Sequence, residues 1–417
     1  VRRRLATILQ SKAINARGVI ESAAMVIPTG ARRRDFLRFL AASPLAARAW
    51  AQQSSPALSR AADALSVADF EALTRTMLPP AHLGYLFSGV DDDATLKLNR
   101  EGFQHFQLRA RRLVDVSKPD LRTEIFGVPW EAPIFLCPVG GQKMFHPEGE
   151  VAVARAAKAK KATQILSTVS SSSVEDVGKA LGTPPWYQLY MPVSWEGTEK
   201  LVHRVEAAGC PVLVWTVDLL GGRNTETAER LRRTDTRNCL SCHTNGVGSL
   251  KSRAMLEGIE GGINPSSANW ATLDRLRKLT MAAKMKLIIK GIDTAEDARL
   301  CREHGADAVV VSNHGGRATE TLRSTIDSLT EVVDAVGSQL PVLVDGGFRR
   351  GTDIYKALAL GARAVGVGRP YIFGLTAFGQ EGVERVVDML RAELRLTMQQ
   401  CGTPALKDIT RAAVRKA

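Results

Sequence analysis

With 417 residues, 45% of them hydrophobic and 24% charged, the chain has ordinary globular composition and enough apolar residues for a full-sized core, which excludes a low-complexity or disordered protein. The formal net charge of +13 invites a nucleic-acid reading, but residues 1–51 hold ten Lys/Arg against two acids and so carry about +8 of it. The remainder has no basic helix with interleaved aromatics, so no nucleic-acid partner is expected.

Residues 1–51 form an export region by pattern. Arg33-Arg34-Asp35-Phe36-Leu37-Arg38 matches the twin-arginine signal, a weakly apolar stretch runs from Phe39 to Ala47, and Ala49 and Ala51 supply small residues for cleavage before Gln52. This address predicts a periplasmic protein; a basic amphipathic helix in the cytoplasm is the alternative. Met25 stands at the usual distance from the arginine pair, which points to an over-extended gene start. The apolar stretch is too short to cross a bilayer, and no other segment reaches the roughly 20 apolar residues needed. A soluble mature protein without a stable membrane span is expected.

Residues 52–130 are expected to form helices and a lid. Eight candidate strands then follow: Pro133–Pro138, Thr163–Ser167, Trp186–Tyr190, Val212–Val217, Lys286–Lys290, Asp307–Ser312, Pro341–Asp345 and Arg363–Val367. Helical periodicity fills most intervals, over Gly149–Lys161, Ser173–Leu181, Glu196–Ala208, Thr294–His304, Ser324–Val336 and Gly351–Leu360. That alternation predicts an α/β fold, a (β/α)8 TIM barrel over 131–402 with an N-terminal helical lid segment. One interval breaks the rhythm. After strand 4 an irregular insert, 219–266, carries little apolar periodicity before a helix near Ser267–Met281, and loops of this length are usually functional or disordered. A closing helix is expected over 382–400 and a C-terminal tail over 403–417.

Chemistry concentrates at predicted strand ends. Ser312-Asn313-His314-Gly315-Gly316-Arg317 follows the apolar run Asp307–Val311, so an imidazole and a guanidinium leave a buried strand where barrel enzymes keep their active sites. Neutral imidazole accepts a proton near pH 7, and a planar guanidinium holds a carboxylate through two parallel hydrogen bonds. An enzyme acting on a small hydroxy or keto acid is indicated. Asp345-Gly346-Gly347 and Gly366-Val367-Gly368-Arg369-Pro370 repeat the pattern of strand then glycine turn.

From about Leu65 to Gly402 the chain resembles the FMN-dependent 2-hydroxy-acid dehydrogenases and oxidases, the family of glycolate oxidase, lactate dehydrogenase and mandelate dehydrogenase. The likeness rests on Ser88-Gly89 with Thr95-Leu96 and Asn99-Arg100, Gln142-Lys143-Met144 with His146-Pro147-Glu148-Gly149, Gln188-Leu189-Tyr190, Thr216-Val217-Asp218, Lys290-Gly291, the His314–Arg317 segment, and Asp345-Gly346-Gly347 with Arg349–Asp353. It implies FMN as cofactor. Asp345, Gly347, Arg349, Gly368 and Arg369 would contact its ribityl chain and phosphate, and Lys290 would stand beside N1 and O2, where a cation stabilises the reduced anion. Ser167, Gln188, Thr216 and Ser312 would bond or position the ring, with the backbone around Val139-Gly140 facing N5.

For the substrate, the resemblance implies His314 as base, Asp218 as its carboxylate partner, Arg317 and Tyr85 as carboxylate ligands, and Tyr190 near the substrate oxygen. A neighbouring carboxylate is expected to raise the His314 pKa. His314 takes either the hydroxyl proton as hydride leaves for N5, or the α-proton to give a carbanion; sequence leaves both open. Oxidation of an (S)-2-hydroxy acid, with electrons passed to a cytochrome, is the first expectation; an O2-using oxidase and a non-catalytic flavin or haem relay are the alternatives. A homo-oligomer is also implied.

Three positions depart from the family pattern. Thr225 replaces an arginine one residue before the acidic position Glu226, with Arg223 two residues earlier; Gly140 stands where alanine is common; Val169 stands where glycolate oxidase has a bulky aromatic, which predicts a roomier pocket. Within the insert, Cys239-Leu240-Ser241-Cys242-His243 has the spacing of covalent haem c attachment, with His243 as iron ligand and Met255 as a second axial ligand by type and proximity. A Cys239–Cys242 disulfide and a zinc site short of a fourth ligand are the alternatives. Cys137, Cys210, Cys301 and Cys401 are expected to serve packing.

Overall fold

The computed structural model describes residues 58–237 and 253–417, together with the backbone of a separate two-residue strand pair, Ala13–Ile14 and Ile20–Glu21. The twin-arginine region and Cys239, Cys242 and His243 lie outside the described residues.

Eight parallel strands close into a barrel in chain order: β1 (Ile134–Leu136), β2 (Thr163–Ser167), β3 (Trp186–Leu189), β4 (Val212–Thr216), β5 (Lys286–Ile292), β6 (Ala308–Val311), β7 (Val342–Val344) and β8 (Ala364–Val367). Alternate residues point inward, so Phe135, Ile165, Val214, Ile288, Val310, Leu343 and Ala364 form the inner core. Their neighbours, among them Leu136, Leu166, Leu213, Ile289 and Val309, pack outward beneath the helices. With both faces covered, the strands are mostly apolar along their length, which is why the runs stand out in the sequence.

Among the described residues three α-helices precede the barrel, α1 (Val67–Met77), α2 (Pro80–Phe87) and α3 (Ala94–Glu101). Then come α4 (Gly149–Lys160), α5 (Val174–Leu181), α6 (Trp195–Ala207), α7 (Glu226–Arg233), α8 (Trp270–Ala282), α9 (Ala295–Glu303), α10 (Thr325–Val336), α11 (Gly351–Ala359) and α12 (Arg369–Cys401). Several begin at hydroxyl caps. Ser173, Ser194, Thr294 and Ser324 accept from the backbone N–H three residues on, each contact being worth about 1 kcal/mol.

The structure refines the expected organisation in four places. Of residues 52–130, α1–α3 serve the C-terminal mouth, but the hairpin Thr123–Ile125 with Val128–Trp130 closes the opposite end, where the Trp130 ring packs 5.4 Å from Trp186 and 6.3 Å from Phe135. The tail is tied down, since Val414–Lys416 pairs antiparallel with Phe106–Leu108. The insert is partly regular: α7 packs on α2, where Gly84 leaves room for the Ala228 backbone, and Pro192 bridges Ile263. The closing helix begins earlier than expected, at Arg369 directly after β8, and is kinked at Phe378 and Gly379.

Candidate active site

The loops leaving the C-terminal ends of the strands surround a cavity of about 560 Å3, lined by Tyr85, Gly140, Tyr190, Lys290, His314, Arg317, Asp345, Gly347, Arg349, Gly368 and Arg369, among others. Residues from six strand ends and from α2 therefore meet in one place.

His314 sits in the left-handed region (φ 58°), followed by Gly315 and Gly316, also at positive φ. Such a conformation costs a non-glycine residue about 1–2 kcal/mol and persists only where neighbours enforce it. Here Asn313 is locked to Asn99 by two amide bonds (2.8 and 3.0 Å) and accepts from Gly316 N–H (2.9 Å). A Cβ on Gly316 would come within 2.5 Å of the Leu96 backbone, so only glycine lets the loop lie against α3. The imidazole is thereby aimed. Nδ1 lies 2.9 Å from Asp218 Oδ1, and Nε2 lies 3.2 Å from the Tyr190 hydroxyl. A carboxylate can only accept, so Nδ1 carries the proton; Nε2 is then the lone-pair side, accepting from Tyr190.

The expected rise in the His314 pKa does not occur. Burial outweighs the pull of Asp218, and Lys290 and Arg223 also oppose protonation, so His314 titrates below its ordinary 6.5. Burial also opposes ionisation of Asp218, but His314, Lys290 and Arg223 prevail and hold its carboxyl below the usual range. Gly291 makes this pair possible, because a Cβ there would strike Asp218 Cβ at 2.7 Å.

Lys290 ends the pairing of β5 with β4, opposite Thr216, and is only 4% exposed. Its ammonium donates to Ser312 Oγ (2.9 Å) and pairs with Asp345 Oδ2 (3.4 Å). Burial works against its charge, but Asp345 and Asp218 win and the pKa is raised, so Lys290 stays cationic. Ser312 Oγ also donates to Asp345 (2.6 Å) and accepts from His314 N–H (3.1 Å). Its single proton and both lone pairs are used by these three partners, so Ser312 positions Lys290 and His314.

Arg317 stacks on Tyr85, its Cζ 4.6 Å from the ring centre, and donates to the carbonyls of Tyr85 and Ser88. Among the described residues it has no carboxylate partner. Burial and Arg223 push its pKa down to about 10, the signature of a guanidinium short of an anion. Burial holds the Tyr190 phenol protonated. Arg223 reaches the same wall and donates to the Arg317 carbonyl (3.3 Å), so it takes the region that Thr225 leaves without a cation.

The residues expected to hold a flavin fit one. Gln188 Nε2 and Thr216 Oγ1 are buried without a hydrogen-bond partner, and native interiors rarely leave such groups unused unless something else binds them. Ser167 donates to Gln188 Oε1 (3.1 Å), fixing that amide. Ser167, Gln188 and Thr216 do not border the cavity itself but stand at the ends of β2, β3 and β4 around it. At the other end, Gly346-Gly347 and Gly368 at the N-terminus of α12 offer the glycine-rich backbone that phosphates favour. Arg349 and Arg369 border this end but are engaged by protein: Arg349 pairs with Glu71 (3.3 Å), and Arg369 donates to the carbonyls of Leu86, Ser88 and Gly315 (2.7–3.0 Å).

The comparisons with known proteins decide the lineage. A model of the FMN-dependent dehydrogenase family matches residues 74–416. The chain belongs to the FMN-dependent dehydrogenase family. It is 39% identical over 353 residues to a peroxisomal (S)-2-hydroxyacid oxidase of Arabidopsis thaliana, covering 84% of this chain and 96% of that one. Among solved structures it resembles a soluble mutant of the membrane-associated (S)-mandelate dehydrogenase of Pseudomonas putida (TM-score 0.76, 34% identity, 85% and 100% covered). It also resembles a flavocytochrome b2 variant (TM-score 0.75, 30% identity, 88% and 91% covered).

Two site features of this family member escaped the sequence. Arg253, from the end of the insert, borders the cavity and lies over Gly141. Buried Glu150 clamps the loops after β1 and β2 by accepting from Gln142 N–H (3.0 Å), Ser171 N–H (2.8 Å) and Ser172 Oγ (3.1 Å). Glu150 belongs to a helix that looks ordinary from its composition. Met255 is 1% exposed and its Sδ accepts from Val174 N–H (3.2 Å). Val169 packs against Gly140, its Cγ2 lying 2.5 Å from where a Cβ on Gly140 would stand. Cys137, Cys210, Cys301 and Cys401 are buried free thiols, as expected of packing residues.

Proposed function

We propose that this protein oxidises an (S)-2-hydroxy acid to the 2-keto acid with FMN. The observation that carries this is the convergence of the His314–Asp218 couple, Arg317 and Lys290 on one cavity. Arg317 and the Tyr85 hydroxyl hold the substrate carboxylate. His314 takes a proton at Nε2, being unprotonated at neutral pH, and Asp218 stabilises the imidazolium that results. Tyr190, already 3.2 Å from Nε2, holds the substrate oxygen within reach of the base. FMN, when bound, supplies the two-electron acceptor. Lys290, kept charged by Asp345, balances the negative charge that gathers there. The test is anaerobic mixing of the purified protein with (S)- and (R)-lactate, glycolate and mandelate. Bleaching of the visible flavin band by (S)-acids is expected; an unbleached band with every 2-hydroxy acid favours a non-catalytic relay.

The finer assignment is a periplasmic dehydrogenase that passes electrons to a cytochrome. It is supported by Arg33-Arg34 and by the Cys239–His243 spacing, which suits haem c attached outside the cytoplasm. A Soret band that survives acid-acetone extraction of exported protein is expected; its absence, with rapid turnover on O2, favours the oxidase. The protein is further expected to assemble as a homo-oligomer, which light scattering would check. Among the described residues no helix is long and apolar enough to cross a membrane.

A further inference from the structure

Among the described cations that border the cavity, Arg253 alone has no protein partner: Arg232 pairs with Glu229, and Arg223 and Arg369 donate to backbone carbonyls. Lys290 has Asp345, Arg349 has Glu71, and Arg317 is placed for the substrate's own carboxylate. Arg253 is half-buried in the cavity wall, and among the described residues its guanidinium has neither a hydrogen bond nor an ion pair. A guanidinium partly stripped of water is costly unless an anion meets it. Its place is set by Gly141, where a Cβ would fall 2.5 Å from Arg253 Nη1; glycine lets the charge lie against the loop after β1. Arg317 leaves the end of β6. In the closed ring β6 and β1 are separated by β7 and β8, so the two guanidinium groups border the cavity beside different, non-adjacent strand ends. Two separate guanidinium groups bordering one cavity match a ligand that carries two anionic groups.

We infer that the preferred substrate is a 2-hydroxy dicarboxylate, whose reacting end is held at Arg317 and whose far carboxylate is held by Arg253. This rests on the 2-hydroxy-acid oxidation proposed above and adds the substrate class. A monocarboxylate of equal length would leave Arg253 facing an alkyl group.

The experiment compares (S)-2-hydroxyglutarate with (S)-2-hydroxypentanoate, two five-carbon acids differing at the far end, by anaerobic flavin reduction in the FMN-loaded protein and in R253Q and R253K. The diacid is expected to be favoured in kcat/KM by about tenfold or more, R253Q to remove that preference, and R253K to restore part of it. Binding of 2-oxoglutarate and 2-oxopentanoate, followed by flavin absorbance, should show the same pattern without turnover. Preference for the monoacid, or an equal effect of R253Q on both acids, overturns the dicarboxylate assignment alone. If neither these acids nor any other 2-hydroxy acid reduces the flavin, the hydroxy-acid reaction itself falls, and this inference with it.

Discussion

Replacing Asp218 with asparagine separates two roles that the carboxylate plays toward His314. Asp218 Oδ1 lies 2.9 Å from Nδ1, and the imidazolium that forms on proton transfer is stabilised by a buried charge. Opposite unit charges about 4 Å apart attract by about 4 kcal/mol at an effective dielectric of about 20. Losing about 3–4 kcal/mol of that support slows proton transfer by roughly 10²- to 10³-fold. The pH dependence moves in a definite direction. Burial already holds the His314 pKa below 6.5 and Asp218 is the largest influence raising it, so D218N lowers it further. The acid limb of kcat/KM then shifts to lower pH while the plateau falls. Stopped-flow flavin reduction between pH 4.5 and 9 reads both quantities. A plateau reduced less than about tenfold, or a limb displaced upward, would refute the coupling of these two groups.

H314Q is expected to bind FMN normally and lose about 10²–10⁴-fold in the rate of flavin reduction; unchanged turnover removes His314 from the mechanism. K290M leaves Asp345 buried without its cation and is expected to cost about 3–5 kcal/mol in urea unfolding, much of it recovered in K290M/D345N. Additive losses in the double variant would show that the pair is not coupled. G140A pushes a Cβ against Val169 and is expected to destabilise by about 1–3 kcal/mol, relieved in G140A/V169A; equal melting of G140A and wild type contradicts the tight contact.

The barrel was legible because its strands are covered on both faces. All eight appear where the apolar runs placed them, with ends shifted by a residue or two. Helix α7 was not legible, because Glu226–Arg233 buries no residue and so shows no apolar stripe; it is placed by Ala228 against Gly84. The first half of α12 was hidden by its abrupt start at Arg369-Pro370, with no connecting loop after β8. For the site, the residue types at one strand end located His314 and Arg317, and the family resemblance supplied Lys290 and Asp218. Quantities that depend on packing did not follow. The sign of the His314 pKa shift is set by burial, the Arg349–Glu71 pair joins segments far apart in the chain, and Arg253 reaches the cavity from an insert without periodicity.

The most direct test of the site is a crystal structure of the FMN-loaded protein with a 2-keto acid product. The account predicts the product carboxylate on Arg317 and Tyr85, with its keto oxygen in hydrogen-bond reach of His314 Nε2 or the Tyr190 hydroxyl. A product bound with its carboxylate away from Arg317, or with His314 touching neither product nor flavin, would contradict it.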